Sequence, residues 1–389
     1  MTNNKKYILK TFFVLSFICF ICSFNCGYVF ADALSDSIKE QLGNINLNEL
    51  ELFINSLNLS FVKDDFISTI NSILNGNFTL DITSIGNVAK EIFLKDMYNL
   101  LPTIISIIAI AVLCGLITNL KSSYMTDSVA ETIIFVCLCS IVFILLTEIL
   151  SIYTLVKNTI ETIGKTVEIM SPIMLTLMLA VGGNVSANVY KPAVAFLSGG
   201  IINLMSTIVL PLIIISTAFS VVSCFSNTIK LNKFSDFFHS IIKWIFGIII
   251  TIFTFFIGVQ GVAGAKYDGI TFKIAKYAIS NSVPIVGGLL KDGLNIVIAG
   301  SVLIKNSIGV VVLFSLFFLI LKPVFHFAVF STLLKLTSAL IEPICDVRIC
   351  NFCLTIDKTI SFLTASILVV GFLTLITVAL MTASASVII

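Results

Sequence analysis

Long apolar runs separated by short polar ones repeat down this chain. Their lengths read as membrane crossings rather than as buried core helices. Clear spans are expected at Leu100–Leu120, Val129–Ile152, Ile201–Phe225 (holding Pro211), Ile245–Val262, Ser307–Leu321, Val324–Ile341 and Ile360–Met381. Two further stretches are apolar enough for lipid but broken. Glu168–Gly200 carries Pro172, Gly182, Gly183, Pro192, Gly199 and Gly200, with Asn184, Ser186 and Asn188 between two short apolar pieces. Ser280–Gly300 carries Pro284, the pair Gly287 and Gly288, and the adjacent charges Lys291 and Asp292. Proline removes an amide donor and glycine weakens a helix interior, and irregular backbone at membrane depth is tolerated only where protein buries it or water lines it. Paired broken segments point to a transport or binding site between halves, and the competing reading is tight helix crossings built on small residues. Pro172, Gly182, Gly183, Asn184, Pro284, Gly287, Gly288, Lys291 and Asp292 are therefore the candidate pathway-lining or gating residues.

Polar segments frame these runs. Residues 1–31 have the positive start, apolar core and small-residue cleavage site of a secretory signal, with an uncleaved anchor helix as the alternative. Residues 32–98 lean acidic and show short amphipathic faces, such as Phe66, Ile70, Ile73 and Leu74, and then Ile85, Val88, Ala89, Ile92 and Phe93. They read as an extracytoplasmic segment lying on the membrane surface or on a partner. Residues 99–389 then form the membrane domain. Within it, Lys157, Glu161, Lys165 and Glu168 fall on one helical face, as in an interfacial helix, and residues 264–282 resemble that segment. The order span, amphipathic segment, broken stretch, span occurs at 129–226 and again at 245–321, a weak internal repeat. The basic stretch 226–243, with Lys230, Lys233, His239 and Lys243, is placed in the cytoplasm by the positive-inside tendency, and Trp244 then sits where an interface anchor belongs. The class that follows is all-α: a polytopic integral membrane protein with six to eight crossings, depending on whether the broken stretches are re-entrant.

Composition sharpens this without changing it. Apolar residues make up 58% of the chain and charged ones 11%, which excludes a soluble multidomain protein, and a net charge of +2 gives no field suited to nucleic acid. Ionisable groups inside apolar spans are expensive and so are functional candidates: Glu148, Lys291, Asp292, Lys305, His326, Lys335 and Glu342. Glu148 and Lys305 read equally as span-end residues that snorkel, and Lys335 and Glu342 as a pair on one helix face that holds the bundle. Cys345, Cys350 and Cys353 fall in an expected loop at 343–359, where Cys350 and Cys353 form a C-x-x-C without a companion histidine or second pair. The chain has neither an H-E-x-x-H, nor a G-x-S-x-G context, nor a phosphate-binding loop. No catalytic, cofactor-binding or metal residue is assigned, and an enzyme is not expected.

Three long segments carry a family resemblance: SPIMLTLMLAVGGNVSANVYKPAVAFL, GAKYDGITFKIAKYAISNSVPIVGGLLKDGLNIVIAGSVLIKNSIG and KPVFHFAVFSTLLKLTSALIEPICD. With the signal and polar outer segment before them, they resemble the stage III sporulation protein AE family over most of residues 90–389. The resemblance implies a membrane component of a complex that links mother cell and forespore, located in the mother-cell membrane around the forespore. Implied partners are the other proteins of the stage III sporulation A operon, including a secretion-type ATPase and ring-forming proteins, together with a forespore membrane protein; the spans themselves call for a lipid bilayer, and the sequence leaves a homo-oligomer open. A pore- or permease-like role is implied, with a non-conducting scaffold as the alternative. The resemblance carries no site residue.

Overall fold

The computed structural model describes residues 47–57, 66–74, 82–124, 127–225, 231–282 and 287–384, and among them regular structure is helical throughout. Two short helices come first, α1 (Asn48–Ser56) and α2 (Phe66–Leu74). Long ones follow: α3 (Ile82–Tyr124), α4 (Asp127–Ala180), α7 (Asn232–Ser282), α8 (Gly287–Ile341) and α9 (Val347–Ala383). Between α4 and α7 lies a composite rod of α5 (Asn184–Ala195), two π-helical turns (Phe196–Ile202 and Met205–Val209) and α6 (Leu210–Phe225). Six of these units are long and apolar enough to cross a membrane. The expected signal segment, 1–31, lies outside the described residues.

The helices are longer than the spans read from sequence, because polar and proline-bearing stretches join them rather than part them. Residues 129–152, the charged segment 154–168 and the apolar piece up to Ala180 are one rod of 54 residues, roughly 80 Å at 1.5 Å per residue. The segment 154–168 is therefore a continuation of a span and not a separate interfacial helix. Its face is as expected: Lys157, Glu161, Lys165 and Glu168 are exposed while Ile160, Ile163 and Val167 are buried. The helix beginning near Ser84 and the span from Leu100 are likewise one helix, α3, through Pro102. Ser307–Leu321 and Val324–Ile341 are one helix, α8, through Pro323. Residues 232–243 are the opening turns of α7, and α9 starts at Val347 rather than at Ile360. A proline need not end a membrane helix when a nearby hydroxyl or packed neighbour takes over the freed carbonyl. At Pro172 this is Ser171, whose Oγ donates to Glu168 O, the acceptor that the proline leaves open, at 3.4 Å. In the rod, Gly199 and Gly200 fall in a π-turn, and a second π-turn precedes Pro211, which has no N–H for the Thr207 carbonyl.

Two antiparallel hairpins organise the bundle. In the first, α4 returns as the α5–α6 rod, with Gly164 against Ile202 and Phe135 edge-on to Phe225 at 5.7 Å. In the second, α8 returns as α9, and small residues set the spacing. A Cβ on Gly309 would collide with Thr382, and one on Gly371 with Ile320, so the two axes approach as closely as glycine permits. Helix α3 runs alongside α8: Gly115 packs on Ile344, and Cys345 Sγ donates to Ala111 O at 3.1 Å. One continuous core, including Ile107, Leu145, Ile163, Ile213, Phe330 and Leu363, joins both hairpins and α3.

Candidate functional site

The break in the first broken stretch is confined to Val181–Gly183. Gly182 has φ +88°, Gly182 N–H donates to Leu179 O at 2.9 Å and Gly183 N–H donates to Met178 O at 2.8 Å. This pair of bonds is the Schellman closure of a helix C-terminus, and its left-handed residue is the one place here where glycine is required. Asn184 then opens α5 on an exposed position, with Gly183 before it at φ −78°. Pro172 lies well down α4 on the exposed face and does not reach the turn. Gly287 and Gly288 open α8, and Lys291 and Asp292 fall in its first turns, where the backbone is helical. The side chains of that segment, and Pro284 itself, lie outside the described ones.

The Gly182 turn meets the two ends of the second hairpin. Val181 packs with Ile298 and Val302 of α8 in a small separate cluster. One turn further on, Lys305 is fully buried and its Nζ donates to Ser384 O, the carbonyl at the C-cap of α9. Ser384 Oγ in turn lies 3.8 Å from Met178 Sδ on α4. Lys305 therefore does not snorkel. It is a cation set against the negative end of a helix dipole, a role that stabilises the end of α9 and ties three helices together.

The other ionisable groups of the spans fall into bonded sets lower in the bundle. Glu148 lies mid-helix, not at a span end, and its Oε1 accepts from Thr103 Oγ1 across α3 and α4 at 3.2 Å. His326 Nδ1 lies 3.3 Å from Asp96 Oδ2, joining α8 to α3. Lys335 does not pair with Glu342, which lies past the end of α8. Its Nζ is 3.3 Å from Asp357 Oδ1 and donates to Ser331 Oγ at 3.0 Å, and Ser331 Oγ donates to Asp357 Oδ1. Beside this set, Ser216, Ser220 and Ser235 bond one another in a buried seam between α6 and α7, and Thr217 bonds Thr359 at 2.9 Å. His239 stacks on Phe362 with ring centroids 4.5 Å apart.

The register of these contacts sorts charge into two levels. Asp96–His326 and Thr103–Glu148 place Lys95, Asp96, Lys157, Lys322 and His326 at one height. Gly115–Ile344 and Phe135–Phe225 mark another, beside Lys233, Glu342, Asp346 and Arg348. From Asp96 to Gly115 along α3 is roughly 30 Å, the thickness of a bilayer core. Lys335 is halfway between the two levels.

Asp357, Asp96 and Ser384 were not singled out by sequence. Asp357 has a readable signal, because Ile349, Phe352, Cys353, Ile356 and Ile360 continue a helical apolar face through the expected loop, with Asp346 as its N-cap. Cys350 and Cys353 share that buried face as thiols, and among the described residues no cluster of three metal-ligating side chains occurs.

A model of the family described as Stage III sporulation protein AE matches residues 65–385. A protein named Stage III sporulation protein AE from Bacillus subtilis (strain 168) is 25% identical over 266 residues, which is 68% of this chain and 67% of that protein. No solved structure matches the chain. With the family match running from α2 through α9, this polytopic helical membrane protein belongs to the stage III sporulation protein AE family.

Proposed function

We propose that the chain is the pore- or permease-like component of a complex that links mother cell and forespore, seated in the mother-cell membrane around the forespore. Its partners are then the other proteins of the stage III sporulation A operon, among them a secretion-type ATPase and ring-forming proteins, together with a forespore membrane protein. The observation that carries the reading is a set of ion-paired and hydrogen-bonded side chains held midway through an apolar layer of bilayer thickness, of which Ser331, Lys335 and Asp357 are the centre. Polar groups at that depth are costly and mark solute or proton paths far more often than they serve packing.

In this reading the lower level, with Lys233 and Arg348, faces the cytoplasm. The upper level faces the space between the membranes, where α1 and α2 also lie. Beyond it the bundle continues to the Gly182 turn, so Pro172, Gly182, Gly183 and Asn184, with Gly287, Gly288, Lys291 and Asp292, line or gate an outer mouth. The second reading, a non-conducting scaffold, draws on the exposed charged face Lys157–Glu168, which suits a protein partner. The double variant Lys335→Met/Asp357→Asn separates the two. Its core is neutral and its neighbours are kept, so the chain should still accumulate and join the complex. Conduction requires that spore formation fail nonetheless. Normal sporulation by that variant would favour the scaffold.

A further inference from the structure

The outward surface of the lower α8–α9 hairpin is a poor match for lipid at Lys335. Lys335 keeps 57% of its side chain exposed although it sits halfway between the two charged levels. A lysine at such depth normally extends its amine toward the nearer water layer. Here the amine stays at mid-depth: it bonds Ser331, one turn back along its own helix, and Asp357, whose side chain is only 12% exposed. Around this pair the exposed positions are Ala328, Thr332, Leu336, Ala339 and Leu340 on α8, and Asn351, Leu354, Lys358 and Ser361 on α9, so leucines and polar groups share the face. Lys243 Nζ approaches the same edge, 5.8 Å from the centre of the Phe362 ring. The contrast is with α7 beyond Lys243, where the exposed positions from Trp244 to Gly258 include Ile248, Ile250, Ile252 and Phe255, with Thr251 and Thr254 but no charged side chain.

We propose that the lower α8–α9 face is the wall of a water-filled path, and that its excess of lysine over aspartate selects anionic solutes. This rests on the conducting reading above, but it places the selective wall on a surface distant from the Gly182 turn. An exposed lysine at mid-depth, with its carboxylate partner buried behind it, is expensive against hydrocarbon and costs little against water, so the face is stable only where water or another polar surface meets it. Rings of like-charged side chains are a common way for a pore to choose the sign of its solute. Further copies of the chain would close the lumen, each presenting the same hairpin.

The test is a scan with a membrane-impermeant thiol reagent on the full chain in sealed vesicles, with the native cysteines replaced. Single cysteines at Ala328, Thr332, Leu336 and Ser361 should react, while those at Ile248 and Phe255 on α7 should not. Silence at all four positions, while a cysteine at Pro343 in the turn below reacts, would overturn the proposal. Native protein gives a second measurement that needs no substitution: an impermeant acylating reagent should modify Lys358 and spare the buried Lys305, and equal protection of both would also count against it. Selectivity is read by flux of small anions and cations, where Lys358→Glu should lower the anion-to-cation ratio roughly tenfold; an unchanged ratio in a conducting sample removes the anion claim. If the face is wet yet the neutral double variant sporulates normally, the conducting reading falls and the wet surface stands. If the face is dry and that variant fails, only the wall is lost.

Discussion

Helix α8 carries two lysines that the physics of a membrane should treat alike, and the fold treats them oppositely. Lys305, near the Gly182 turn, is fully buried and spends its charge on the C-terminal carbonyl of α9. Lys335, thirty residues on, is exposed and bonds the Asp357 carboxylate of α9 and the Ser331 hydroxyl of its own helix. The upper end of the hairpin is thus closed by a cation on a helix dipole inside a buried junction, whereas the lower end presents the lysine of an ion pair to whatever lies outside. Burial makes the first residue a structural part. Exposure at depth makes the second a candidate for chemistry, because nothing in the bundle itself requires that surface to be polar.

The largest effect is expected from reversing the upper charge. Lys305→Glu would put a carboxylate against a carbonyl at the negative end of α9, a clash of roughly 3–5 kcal/mol by analogy with breaking a buried pair. The expected result is loss of the folded protein, read as failure to accumulate or as a collapsed melting transition in detergent. Lys305→Met keeps the stem and removes the amine from the Ser384 carbonyl, about 1–3 kcal/mol. If Lys305→Met were well folded but inactive, the upper lysine would be a working group, and the contrast with Lys335 would break.

At the lower end the single and double substitutions should disagree. Lys335→Met leaves Asp357 at depth with only Ser331, a cost of about 2 kcal/mol. Adding Asp357→Asn should recover most of that loss, so a double-mutant cycle gives a coupling of about 1–2 kcal/mol. Additive losses would mean that the pair contributes nothing as a pair and that the two ends differ less than the geometry suggests.

Much of this was open to reading from the chain, and the failures share a cause. Apolar run length gave the class and most crossings, since it reports on lipid directly. Joints were harder: a proline or a charged stripe is locally a helix-breaking or surface signal, yet the helix runs on through Pro102, Pro172 and Pro323. The Gly182–Gly183 break was legible because the left-handed turn needs glycine, while Gly199 and Gly200 carry the same residue type inside continuous helical backbone. The site partners suffered most. Lys335 was found by its cost in an apolar run, but Asp357 lay in a stretch read as loop, and pairing across helices is set by hairpin register, which composition does not encode.

The Gly182 turn offers a smaller and sharper measurement on the upper end. Gly182→Ala forces a side chain into the left-handed region and should cost about 1–2 kcal/mol. Gly183→Ala, at φ −78°, should cost less than about 0.5 kcal/mol. Equal losses in thermal unfolding would indicate crowding at the turn and not backbone conformation, and would weaken the view of this end as a rigid cap.

The smallest effect belongs to the opposite end of α9, where the dipole argument can be tested with a carboxylate in place of a lysine. Asp346 is the N-cap: its carboxylate accepts from Arg348 N–H at 2.9 Å and from the Arg348 guanidinium at 3.1 Å twice. Burial alone would push this carboxyl up, yet the hydrogen bonds from Arg348 outweigh it and hold the group below its ordinary value. A carboxylate with a depressed folded pKa contributes stability above its unfolded pKa of about 3.9 and loses it as pH falls through the lower folded value. Asp346→Ala should therefore cost about 0.5–1 kcal/mol at neutral pH, the usual worth of a cap reduced by partial exposure. The difference from wild type should shrink on acidification below the ordinary carboxylate range. Asp346→Asn retains the cap oxygen and should flatten that pH dependence while losing less stability. A deficit in Asp346→Ala that is the same at every pH would show that the charge is idle at this end, leaving Lys305 as the hairpin's only dipole-matched ion among the described residues.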